Sequence, residues 1–183
     1  MFSVVFIVAS LALARAAVAN PVARAACNPT LAGNGISIGS GTLEVGYSNS
    51  VAGAPIISRA LTTTAAAEYI AETTTIFNGG FLLEDANQPG SAAGLFPTNV
   101  DGVLSLETLV TPEDGTQGWG FVCSACNDPT TVGAGGVLAS GCNVVSGTTG
   151  QCLQIGSAAG DAVTVATCTD LASGPQSFDV YLS

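Results

Sequence analysis

Thirteen carboxylates with no histidine and no lysine limit the chemistry open to this chain of 183 residues. Glycoside hydrolysis needs two carboxyl groups held several ångströms apart, and Glu84, Asp85, Asp101, Glu113 and Asp114 are the acids that would have to supply them. Their spacing argues against such a pair. Glu84 and Asp85 are neighbours, so on a strand they point to opposite faces, and Glu113-Asp114 behind Pro112 reads as a solvated turn. The usual nucleophilic triads are closed for want of histidine. No spaced Asp/Asn series of the EF-hand kind offers itself to calcium. The expectation is a protein that is not an enzyme and needs no cofactor and no metal.

Cysteine is the other chemistry-bearing residue. Cys27, Cys123, Cys126, Cys142, Cys152 and Cys168 make an even set, the usual sign of a disulfide framework in an oxidising compartment. Zinc would want a partner for Cys123-x-x-Cys126, and no histidine exists to provide one. A thioredoxin-type role for "CSAC" would want a helix beginning at its first cysteine, but Asn127-Asp128-Pro129 follows and breaks it. Sequence alone does not fix the pairing. Cys126 to Cys142 and Cys152 to Cys168 are both sixteen residues apart, and that match suggests those two bridges, leaving Cys27 to join Cys123.

The first residues, "MFSVVFIVASLALARAAVAN", hold an uncharged apolar run and then the small-x-small pattern Ala17-Val18-Ala19. Residues 1–19 are read as a secretory signal peptide, although Arg15 lies after the apolar run rather than before it. The run is too short for a membrane anchor, which needs about twenty apolar residues. Beyond residue 19 only Arg24 and Arg59 oppose the thirteen acids. Nucleic-acid backbones and anionic membranes, which bind through Lys and Arg, are therefore not expected partners. The chain is nonetheless 48% hydrophobic, far from a disordered acidic tail, and should pack a core. We expect a secreted, extracellular monomer.

Short alternating runs such as "GISIG", "TLEVG", "GVLSLETL", "CLQIG" and "AVTVATC", separated by many of the 23 glycines, indicate strands joined by turns and an all-β chain. "TTTAAAEYIAETT" has helix-forming alanines, but too few of them, and is read as a loop entering a strand at Tyr69. A period is also present. "TLEVG" at Thr42, "LLED" at Leu82 and "CLQIG" at Cys152 open similar units, which close on Glu68-Tyr69, Gln117-Gly118-Trp119 and Gln176-Ser177-Phe178. The middle unit carries about ten extra residues around "NQPGSAAGLFPT". Residues 20–35 form an amino-terminal segment and residues 36–183 a single domain, with units over 36–77, 78–125 and 140–183.

A Cys-Leu-x-x opening and an alternating strand ending in a second cysteine, complete in the last unit, with a Gln-x-aromatic closure in the last two units and a fainter echo of the pattern in the first, resemble the ricin B-type lectin family. The resemblance implies a disulfide-stabilised β-trefoil. Tyr69, Trp119 and Phe178 are then core aromatics, one from each unit, each with a glutamine or its equivalent nearby to bond backbone left unpaired by the turns. It also implies a sugar site built from an acid, an aromatic and an amide. These map onto Gln154, Ala166 and Pro175 in the last unit and onto Glu84, Glu107 and Thr116 in the middle one, while the first supplies Glu44 but no aromatic. Glu44, Glu84 and Gln154 are thus the candidate carbohydrate-binding residues of a degenerate site.

The resemblance implies a non-catalytic extracellular module that contacts a glycan or another protein. Two alternatives remain at this point. One is a trefoil-type protease inhibitor acting through "NQPGSAAGLFPT" or "TLVTPEDGTQ". The other is a structural or surface-associated secreted protein with no small ligand, since the overall composition resembles small, acidic, cysteine-bearing secreted fungal proteins.

Overall fold

A computed structural model describes residues 26–64, 66–76, 79–88, 94–111, 113–169 and 174–183. The proposed signal peptide and Arg24 lie outside the described residues. The alternating runs form strands in chain order: β1 (Gly35–Ser40), β2 (Leu43–Tyr47), β3 (Ile56–Ala60), β4 (Tyr69–Thr73), β5 (Gly80–Asp85), β6 (Leu95–Val100), β7 (Val103–Thr108), β8 (Trp119–Cys126), β9 (Val137–Ser146), β10 (Cys152–Gln154), β11 (Thr164–Ala166) and β12 (Phe178–Leu182). Pro129–Thr131 and Gly174–Gln176 add single 3-10 turns. No helix among the described residues is long and apolar enough to cross a membrane.

Strand pairing reveals the architecture. β1 pairs β4, β4 pairs β5, β5 pairs β8, β8 pairs β9, β9 pairs β12, and β12 returns to β1, all antiparallel, so six strands close a barrel. The remaining six form the hairpins β2–β3, β6–β7 and β10–β11. Isolated bridges Pro55↔Ser105 and Ile57↔Ala162 join the first hairpin to the other two. Two barrel strands flanking one hairpin, three times over, make a β-trefoil. Closure leaves the barrel without an exposed edge.

The period-two pattern decides which side chains enter. In β8, Trp119, Phe121 and Cys123 are buried while Gly120, Val122 and Ser124 are half-buried on the outer side. The centre is filled by Tyr69, Trp119, Phe121 and Phe178 with Ile36, Ile38, Leu83 and Leu138, each at most 2% exposed. The β6–β7 hairpin turns on Asp101-Gly102, both at positive φ (52° and 87°). That conformation matches strand twist in a two-residue loop and explains the Asp-Gly there.

All six cysteines are bonded, but two of the three bridges differ from the spacing argument. The pairs are Cys27–Cys126, Cys123–Cys142 and Cys152–Cys168. Register is the cause. Cys123 faces Cys142 directly across β8 and β9, with Cα atoms 3.9 Å apart, whereas Cys126 lies opposite Ala139. Cys27 does meet Cys123, but through backbone, donating to and accepting from it at 2.9 Å. Side chains of such a hydrogen-bonded pair are the more widely separated kind, and the Cys27 sulfur reaches Cys126 instead.

Candidate functional site

Each unit's closing aromatic is the first residue of its fourth strand: Tyr69 in β4, Trp119 in β8 and Phe178 in β12. The preceding glutamines tie that strand to the end of the third. Gln117 accepts from the Val110 amide at 2.8 Å and donates to the Thr108 carbonyl at 2.9 Å. Gln176 does the same with the Thr169 amide at 2.8 Å and the Thr167 carbonyl at 3.0 Å. Both glutamines are buried, so each clamp satisfies the glutamine's own amide inside the fold while tying down the end of the third strand. The first unit has Ala67 at that place. There the link is ionic: Arg59 at the end of β3 donates to Glu68, just ahead of β4, at 2.9 Å.

Arg59 also reaches Glu44, its cross-strand partner, at 3.7 Å. It is the one basic side chain among the described residues. Gly46 makes room for it, because a Cβ there would stand 2.6 Å from Arg59 Cδ. Burial pushes the Glu44 carboxyl above its ordinary value, Glu68 adds to this, and Arg59 opposes it. Glu68 is raised by burial too, again against Arg59 and with Asp85 adding. Asp85, fully buried at the end of β5, accepts from the Tyr47 and Ser50 hydroxyls and from the Asn87 backbone amide at 2.8 Å. The Tyr47 ring meets Tyr69 edge to face at 6.1 Å. Burial, with Asp85 beside it, drives the Tyr47 hydroxyl pKa far up.

The three candidate sugar residues do not come together. Glu44 sits on β2 within the arginine pair, and Gln154 sits half-exposed on β10, so these two occupy second strands of their units. Glu84 lies on β5, a barrel strand, buried and opposite Ile70. The strand of the middle unit equivalent to β2 and β10 is β6, displaced along the sequence by the long β5–β6 connection. "LLED" resembles the opening motifs in spelling but occupies a different element. Around Gln154, Ala166 is half-buried on β11 and Pro175 is exposed, its carbonyl accepting from Ile155 at 2.9 Å. Glu107 accepts from Ser105 at 2.7 Å, and Thr116 donates to Asp114 at 2.6 Å. The latter contact, with Gln117, pins the "TLVTPEDGTQ" connection.

A second feature carries no sequence signal. A groove of about 360 Å³ opens where the start of β5, the outer side of β8 and the end of β9 meet the amino-terminal segment. Val122 and Val145 contribute apolar surface, Gly79, Gly120 and Gly147 bare backbone, and Asn28 an amide. Its parts are distant in sequence and its glycines look like turn residues, so nothing in the chain announces it.

Comparison with known proteins gives the fold and nothing finer. No protein-family model matches the sequence, and no curated protein does. Among solved structures the chain is similar to a designed 3-fold symmetric protein, ThreeFoil, with a TM-score of 0.54 and 14% identity over 80% of this chain and 96% of that one. That symmetry agrees with the three strand–hairpin–strand units found here.

Proposed function

We propose that this chain is a secreted, non-catalytic extracellular binding module, acting as a monomer, whose ligand is a neutral carbohydrate. The carrying observation is how its carboxylates are used. Glu44 and Glu68 are held by Arg59, and Asp85 is surrounded by donors within the fold. Asp114, Asp128 and Asp161 cap turns, accepting from Thr116, Thr130 and Ser157. Groups committed to such contacts are poorly placed for proton transfer, and a neutral ligand is one that needs none of them. The resemblance of the Gln-x-aromatic closures to ricin B-type lectins supports the ligand class. Three disulfides fit an oxidising, extracellular setting, and the apolar leader supports secretion.

The test is retention on neutral polysaccharides together with a glycan array, followed by incubation of any retained glycan with the protein. Binding without cleavage is the expected result. Cleavage would overturn the non-catalytic reading, and failure to bind any glycan would overturn the carbohydrate reading.

A further inference from the structure

We infer that the groove between β5, β8 and β9 is a binding site for a neutral saccharide ring, distinct from the hairpin positions around Gln154; this rests on the carbohydrate reading above. Charge is the first argument. Among the described residues the lining has no ionisable side chain, although the chain carries a net charge of −10. A cationic ligand would find better partners almost anywhere else on the surface, and an anionic one would be repelled by the protein as a whole. The occupant is therefore uncharged.

The lining also combines two kinds of contact. Val122 and Val145 supply an apolar surface, and Asn28, exposed at the rim, keeps two donors and an acceptor with no hydrogen bond to the described residues. A pyranose ring has the matching character, with C–H groups on one face and hydroxyls around its edge. At about 360 Å³ the volume is at the lower end of small-molecule sites, suited to one or two rings rather than a long chain.

The rim is also built in advance. Asn28 follows Cys27, which is fixed by its two backbone bonds to Cys123 and by the Cys27–Cys126 bridge. On the far side the β9–β10 turn is held by the Gly147 amide on the Gly118 carbonyl at 2.8 Å and the Gly150 amide on the Ser146 carbonyl at 2.9 Å. Ordering these walls on binding costs little, which favours a small ligand with few contacts.

The experiment is heteronuclear NMR titration of the oxidised protein with methyl glycosides of glucose, galactose, mannose and N-acetylglucosamine and their short β-linked oligomers. Amide shifts should concentrate on Gly120, Val122, Val145 and Gly147. Asn28→Ala should weaken binding about tenfold by removing a neutral hydrogen-bonding group. Val122→Glu, at a half-exposed position where folding is checked by melting, should abolish it, and Gln154→Ala should leave it unchanged. Shifts centred on Gln154 and Ala166, insensitive to Asn28→Ala, would overturn the groove while leaving the carbohydrate reading intact. If no saccharide perturbs the protein and none is retained on the array, both fall. If 1-hexanol shifts the groove residues and saccharides do not, the site is purely apolar and the inference is wrong.

Discussion

Tyr69 carries its hydroxyl into the interior, where it meets no hydrogen-bonding partner among the described residues. A buried polar group left unpaired costs about 1–3 kcal/mol. Tyr69→Phe keeps the ring and should raise stability by about 1 kcal/mol in thermal melts; a fall instead would mean that the hydroxyl bonds an internal solvent molecule. Arg59 is the opposite case, a group with two partners. Arg59→Gln leaves Glu44 and Glu68 facing each other in a partly buried place and should cost about 2–3 kcal/mol at neutral pH, less than a fully buried pair because the arginine is partly exposed. Carboxyls raised above their ordinary range stabilise the fold below that range and lose this contribution as pH rises through the raised values. Asp114, Asp128 and Asp161, lowered chiefly by hydrogen bonds from Thr116, Thr130 and Ser157, behave in reverse and lose theirs as pH falls through the lowered values. The urea midpoint should therefore peak on the acid side of neutral, where the lowered aspartates are ionised and the raised glutamates still protonated, and Arg59→Gln should cost less there than at pH 7. A peak at pH 8 would contradict the assignment. Composition makes Arg59 conspicuous as a scarce cation, but its partners become visible only once β2 and β3 are in register.

The clamp between third and fourth strands is the device each unit repeats, and its chemistry predicts what happens when it is cut. Gln176→Leu keeps the volume but strips partners from the Thr169 amide and the Thr167 carbonyl, which should cost about 2 kcal/mol. Phe178→Ala, at a position with no exposure, should cost about 3–5 kcal/mol. Both are measured by denaturant melts, and parent-like behaviour of Phe178→Ala would remove it from the shared centre. The closures are legible because glutamine and aromatic stand two residues apart at a strand start in the second and third units, and Tyr69 follows Glu68 at the same place in the first. The opening of the middle unit was not. There the β5–β6 connection lengthens the unit, and a local likeness, "LLED", stood in for a strand that begins some ten residues later. The bridges failed in a similar way: equal loop lengths suggested the pairing, whereas the choice was made by cross-strand register, which spacing does not encode.

At the scale of the whole molecule the all-β class and three-unit plan were legible from glycine-punctuated alternation and the recurring closure, since both are local signals repeated along the chain. The groove was not, because it is made by elements whose only relation is their place around the barrel. The cross-links have a further consequence. They form a relay: Cys27 to Cys126, three residues back to Cys123, across to Cys142, on to Cys152, and across to Cys168. Tension applied at the two ends travels through sulfur and bypasses most of the backbone, so only about thirty residues between Cys27 and Ser183 bear load, a taut length of about 100 Å against more than about 500 Å for the open chain. Single-molecule pulling should show that short extension until a reductant is added and the long one afterwards. A long extension in the oxidised protein would mean that the relay is not closed. With it closed, the molecule is a tether whose two ends start side by side, Ser183 bonding Gly35, and whose reach is capped at a small fraction of the open chain's wherever those ends are held.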